Sequence, residues 1–298
     1  MAAQKHLSPK AWAELLLLGL IWGVSFLSIR IALDTIPVMT SVFHRVFWAM
    51  LALWLVVRIR RLAVPRSPRV WLAFLVMGLL NNAIPFSLMA WGQLYIETGL
   101  TSILNAMTAI FGVIVAALFF KDERLNRGRA VGVGLGFLGV TIAIGIRNFT
   151  SFDLQSMAQL AVIAGTVSYA LAGAWARVAL SDLPPVVAAA GMLTGSTLLI
   201  LPITLVVDGM PSLDLPLITW VAIGYYALIA TAGAYLLYYR VLAMAGAGNL
   251  LLVTLLIPPV AIILGGVLRD EALPPQAYLG FAVLALGLLI LNRAGTRN

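Results

Sequence analysis

The chain has 298 residues, 62% of them hydrophobic and 10% charged, with a mean hydropathy of +1.04 and a formal net charge of +8. A soluble domain carries about 25% charged residues, so this chain lacks the charge to cover a water-facing surface and takes lipid as its solvent. The absence of cysteine excludes disulfides, iron–sulfur clusters and thiolate metal sites, and with His6 and His44 as the two histidines no metal or cofactor is expected.

Met1 to Lys10 reads as a short polar lead, with no separate cleaved signal expected. The apolar runs that follow predict ten membrane helices at roughly 12–33, 38–59, 70–92, 98–120, 128–147, 156–180, 185–207, 216–239, 247–268 and 276–292, each near the ~20 residues that a bilayer core needs. The short alternating segments of a β-barrel are missing. Connections are short, which leaves no room for a soluble domain.

The chain also repeats itself. Lys121-Asp122-Glu123-Arg124-Leu125 follows one apolar run, and Arg269-Asp270-Glu271-Ala272-Leu273 follows another 148 residues later. Beyond each turn, Gly132, Leu138 and Gly139 match Gly280, Leu286 and Gly287. Arg30, Ala32, Leu33 and Pro37 match Arg177, Ala179, Leu180 and Pro184, and Trp71 pairs with Trp220. The predicted architecture is all-α and integral to the membrane: two five-helix repeats, residues 1–150 and 151–298. Five helices per copy is an odd number, so the second copy enters the membrane inverted.

Charge orients the pair. With the N-terminus inside, 15 Lys and Arg fall inside, among them Lys5, Lys10, Arg58 to Arg69, Arg124 and Arg297, against 3 outside: Arg30, Arg147 and Arg269. The positive-inside rule therefore predicts cytoplasmic N- and C-termini. Inverted repeats meeting at the bilayer midplane are the pattern of alternating-access carriers.

Trp22-Gly23-Val24-Ser25-Phe26, Asn81-Asn82-Ala83-Ile84-Pro85-Phe86, Gly99 to Ala106 and the Asp-Glu-x-Leu turn before a glycine-spaced helix resemble the EamA branch of the drug/metabolite transporter superfamily. The resemblance covers essentially the whole chain. It implies an inner-membrane exporter of amino acids and related metabolites, with a likeness to the aromatic amino-acid exporters. One position departs: Ala109 stands where that branch usually has proline in the fourth span, so a bend there lacks its usual cause.

Candidate site residues follow from what hydrocarbon disallows. Pro85 inside span three removes a helix hydrogen bond, which frees the Asn81 carbonyl, and Asn81 and Asn82 bring amides to the same turn. Such groups either line a substrate cavity or hydrogen-bond neighbouring helices. Asn105, with Thr101 and Thr108, forms a polar stripe on span four with the same two readings. Trp22, its repeat counterpart Tyr169, and Tyr235 lie too deep to be interface anchors and offer π-faces to an apolar or aromatic side chain. Pro258 and Pro259 in span nine predict a discontinuous or kinked helix that serves as a gate. His44 and Arg45 open span two near the outer face, where a cation attracts a substrate carboxylate or, the stronger reading, Arg45 snorkels to the interface or ties down a loop. Glu14 is the acid nearest a span interior, so proton coupling is expected to be weak or absent.

Two motif matches fail on context. Gly134-x-Gly136-x-x-Gly139 fits a dinucleotide fingerprint but lies inside an apolar span, where Gly128, Gly132 and Gly136, spaced by four, mean close helix packing. The basic loop Arg58 to Arg69 reflects topology and anionic lipid, with no nucleic acid implied. The expected partners are a small-molecule substrate and the bilayer, and ten helices can enclose a cavity as a monomer. Cation efflux would want a buried carboxylate, and a sugar or nucleotide-sugar carrier more buried Lys, Asn and Gln. An integral-membrane enzyme would want clustered Asp, His or Glu.

Overall fold

Proline and polar caps start the helices that the apolar runs demand. Ser8 accepts from the Ala11 N–H at 3.2 Å ahead of Pro9, and Asn126 and Asp153 cap the fifth and sixth helices in the same way. The computed structural model describes residues 8–145 and 153–295. Lys5, His6, Arg147 and Arg297, which entered the sequence argument, lie outside the described residues.

Ten helices are long and apolar enough to cross a membrane: α1 Pro9–Leu33, α2 Val38–Ile59, α3 Pro68–Gly92, α4 Thr98–Phe119, α5 Arg127–Ile144, α6 Leu154–Ala179, α7 Pro185–Val207, α8 Leu217–Gly246, α9 Gly248–Arg269 and α10 Pro275–Ala294. No strand occurs among the described residues. Leu16, Leu20, Val206, Ile263 and Val267 stay exposed, as lipid-facing positions do.

The packing has the symmetry of the repeat. α1 packs on α9 as α6 packs on α4, α3 on α7 as α8 on α2, and α3 on α6 as α8 on α1; α2–α7, α4–α9 and α5–α10 join equivalent helices. Swapping the halves leaves this set unchanged, as two inverted five-helix repeats require. The tightest seam is α5–α10. A Cβ on Gly132 would meet the Gly287 carbonyl at 2.8 Å, and one on Gly139 would meet the backbone of Gly280 and Leu284. The repeated glycines therefore serve backbone-to-backbone contact across the pseudo-two-fold. Gly246 turns α8 into α9 at φ 79°, a left-handed conformation suited to glycine.

Three departures from helical regularity matter. α3 and α8 each contain a π-helical stretch, Leu79–Ala83 and Tyr225–Gly233, at equivalent places in the repeat. Pro85 follows the first. In the π register its missing N–H leaves the carbonyl of Leu80 unpaired, rather than that of Asn81, and the Ser168 hydroxyl donates to Leu80 O at 2.7 Å. Second, α4 breaks at Ala106 without proline: its parts are Thr98–Asn105 and Met107–Phe119. Third, α9 does not divide at Pro258-Pro259. Val253–Arg269 runs through both prolines, and the interruption lies at Leu251-Leu252. Gly19 and Gly23 bring α1 close along this stretch, where a Cβ on Gly23 would lie 3.1 Å from the Ile257 carbonyl.

Candidate functional site

The groups freed by the widened turns of α3 and α8 are taken up by other helices, the Leu80 carbonyl by Ser168 on α6 and the Ala230 carbonyl by Trp22 on α1. Trp22 Nε1 on α1 donates to the Ala230 carbonyl at 3.0 Å, and the Tyr225 hydroxyl donates to the Ile21 carbonyl at 3.2 Å. Trp22 is thus pinned to the α8 π-turn, its ring 6.0 Å from that of Tyr238. Tyr169, its counterpart on α6, meets Phe86 edge-on at 6.5 Å.

Asn81, Asn82 and Tyr235 come together, with unequal roles. Asn82 is fully buried: its amide donates to Ser196 Oγ on α7 at 2.8 Å, and its carbonyl oxygen accepts from the Tyr235 hydroxyl at 3.0 Å. Asn81 stays partly accessible; its amide donates to the Tyr235 oxygen at 3.1 Å, and its own carbonyl oxygen has no partner among the described residues. Asn105 ends the first segment of α4, partly accessible and without a side-chain hydrogen bond among the described residues; Thr108 Oγ1 nearby is buried and unpaired. Pro85 is buried beside Gly165 of α6. Pro258 is buried and Pro259 exposed on α9, with no contact shown to the Asn81–Tyr235 group.

Arg45 does not snorkel. Its Nε donates to Thr231 Oγ1 in the α8 π-turn at 3.0 Å, and its guanidinium carbon lies 3.7 Å from the Phe86 ring centroid. Tyr169, Tyr226 and Tyr235 lie within electrostatic reach of it. Thr231 and Phe86 hold the arginine because the π-turn aims a hydroxyl at α2 and α3 supplies the ring. The readable signal was its depth, eight residues into a span. The resulting cluster draws Arg45, Asn81 and Phe86 from the first half and Tyr169, Thr231 and Tyr235 from the second.

Both membrane faces carry ties between the halves. On one, Asp34 pairs with Arg269 and with Arg30 at 3.2 Å, Glu271 accepts from Thr98 N and Oγ1 at 2.8 Å each, and Asp208 accepts from Thr40 N at 2.7 Å. The repeated Asp-Glu turn of the second half thus supplies an acid that caps the start of α4. On the other face, Glu14 pairs with Arg240, and Arg177 bonds Asp122 at 2.6 Å and approaches Glu123 at 3.6 Å. Hydrogen bonding to Arg177 holds the Asp122 carboxyl below its ordinary range.

A model of the EamA-like transporter family matches residues 11–145 and again residues 156–293. The chain belongs to this family. An EamA-like chain of this kind is a multi-pass membrane transporter and not an enzyme. It is 26% identical to a probable terminal-alkyne amino-acid exporter of Streptantibioticus cattleyicolor over 96% of this chain and 94% of the relative. It is 24% identical to a probable amino-acid metabolite efflux pump of Escherichia coli, over 95% of each. An uncharacterized transporter of Bacillus subtilis is 20% identical over 91% of this chain and 92% of its own. One solved structure, 16% identical, superposes on 97% of this chain and 99% of its own with a TM-score of 0.70, which speaks to the EamA-like fold alone.

Proposed function

We propose that the protein exports small amphipathic metabolites, foremost amino acids with aromatic or apolar side chains, across the inner membrane by alternating access and without obligatory proton coupling. The observation that carries this is the polar and aromatic cluster built from both halves, in which Asn81 and Asn82 of α3 bond Tyr235 of α8 and Arg45 bonds Thr231, between two faces each tied across the halves. Opening one face means parting Asp34 from Arg269; opening the other means parting Glu14 from Arg240 and Arg177 from Asp122. Asn81, Asn105, Trp22, Tyr169, Tyr235 and Pro85 belong to the substrate site in this reading, Asn82 holds Tyr235 in place behind it, and Pro258-Pro259 belong to the flexing of α9. Glu14 is neutralised by Arg240, which supports transport without a proton relay. The amino-acid names of two relatives point the same way.

Labelled tryptophan should accumulate in proteoliposomes preloaded with unlabelled tryptophan, above protein-free liposomes and with no pH gradient. Absence of counterflow with and without a gradient would sink the substrate; accumulation only with a gradient would sink the uncoupled mechanism.

The charge bias supports a reading in which both termini are cytoplasmic, and in it one chain encloses the cavity as a monomer. The chain has no cysteine, so Val64→Cys, in the α2–α3 loop, and Ser212→Cys, in the α7–α8 loop, report topology directly. In whole cells an impermeant maleimide should label Ser212→Cys and spare Val64→Cys; the reverse pattern would invert the orientation.

A further inference from the structure

The chain has 11 acidic residues, and all of them are described. Asp34, Glu97, Asp122, Glu123, Asp153, Asp182, Asp208, Asp214, Asp270 and Glu271 lie at helix ends or in loops, and Glu14 pairs with Arg240 near one face. None forms an ion pair with Arg45. The guanidinium uses Nε on Thr231 and its face on Phe86, and its two terminal nitrogens have no hydrogen-bond partner among the described residues. A charge inside a membrane span without a counterion is costly. It stays partly accessible although α2, α3, α6 and α8 enclose it.

We propose that Arg45 is a carboxylate anchor, and that the site selects amphipathic carboxylic acids, with an amino group optional. This deepens, and rests on, the transport reading above. Two free N–H groups on one planar fork match the two oxygens of a carboxylate. Phe86 and Tyr169 stand beside that fork as an apolar wall for the rest of the molecule. No acid stands ready for an ammonium group. The acceptors near it are neutral: the Asn81 carbonyl oxygen and the hydroxyls of Tyr169 and Tyr235. An acid bearing a hydroxyl in place of the amine is therefore bound as well as the amino acid, and an amine lacking the carboxylate is rejected.

The test uses three compounds that share one ring: phenylalanine, 3-phenyllactate and phenethylamine. Thermal unfolding of the purified full chain in detergent reads binding, and competition against labelled tryptophan in proteoliposomes reads transport. Phenylalanine and 3-phenyllactate should raise the unfolding midpoint and compete, and phenethylamine should do neither. Arg45→Gln should weaken both acids roughly 10- to 100-fold, the worth of a hydrogen bond to a charged group, and Arg45→Lys should keep part of that binding. A merely structural Arg45 would move the unliganded midpoint and leave the preference for acids intact. Equal stabilisation by phenethylamine, no shift with either acid in the wild type, or undiminished acid binding in Arg45→Gln overturns the anchor. If Arg45→Gln does not fold, Arg45→Lys and the wild-type preference decide. Stabilisation by the acids without any counterflow would overturn the transport reading and leave the anchor standing.

Discussion

Gly139→Leu and Gly280→Leu should each strip the protein of most of its thermal stability in detergent, while Gly134→Leu on the same helix stays near wild type. A side chain at Gly139 would run into the backbone of Gly280 and Leu284, and one at Gly280 into that of Gly139 and Ala143. Backbone cannot rotate away as a side chain can, so α5 and α10 must separate along the seam. Overpacking of this kind costs roughly 1–3 kcal/mol when side chains can give, and more here because they cannot. Gly134 has open space around it and faces lipid. Gly139 and Gly280 meet each other, so either change parts the same contact and the two losses should be similar; the pseudo-two-fold carries this contact onto that of Gly287 with Gly132. Unfolding midpoints read by intrinsic fluorescence, in which Gly139→Leu melts with Gly134→Leu, would remove the seam from the account.

The close packing of α5 was readable in its glycines at helical spacing and in their recurrence in the repeat, but not which helix they meet. The ten spans were readable likewise: hydrocarbon demands continuous apolar length, a signal local to each helix. The interruptions were not. Proline marks a missing donor, yet Pro258-Pro259 leaves α9 continuous while α4 breaks at Ala106 with no proline present. Where a helix breaks depends on what neighbouring helices offer to its freed groups. Ser168 takes the Leu80 carbonyl, and Trp22 takes that of Ala230. Those partners stand 88 and 208 residues away in sequence, and a single-chain pattern does not connect them.

The site shows the same division. Residue type and depth brought Asn81, Asn82, Tyr169 and Tyr235 forward, and the structure joins Asn81, Asn82 and Tyr235 in one network. Arg45 was read as a snorkelling side chain because it sits toward one end of its span. Its true environment comes from Thr231, presented by a π-turn with no sequence mark of its own, and from Phe86, one residue past Pro85. Nor did adjacency in sequence separate Asn81 from Asn82, whose side chains point to different sides of the helix, roughly 100° apart in the α form.

That separation yields the sharpest test of the site. Asn82→Ala should destabilise the protein, and Asn81→Ala should leave its stability close to wild type while impairing transport. Asn82 is closed off from any ligand and bridges α3, α7 and α8 through Ser196 and Tyr235. Its removal strands two hydroxyls in a water-free interior; interhelical polar bonds in membranes are worth about 0.6 kcal/mol each and up to about 1.7. Ser196 keeps an acceptor at the Gly78 or Met192 carbonyl, so the loss should fall at roughly 1–3 kcal/mol. Asn81 gives up a bond to Tyr235 that Tyr235 can replace, because its own donor still reaches Asn82. What Asn81→Ala removes is an amide oxygen next to Tyr235 that has no partner among the described residues, a group free to meet a substrate. Unfolding midpoints and tryptophan counterflow measured on both variants separate the roles. Equal stability losses would make both asparagines packing groups, and normal counterflow in Asn81→Ala would take Asn81 out of the site.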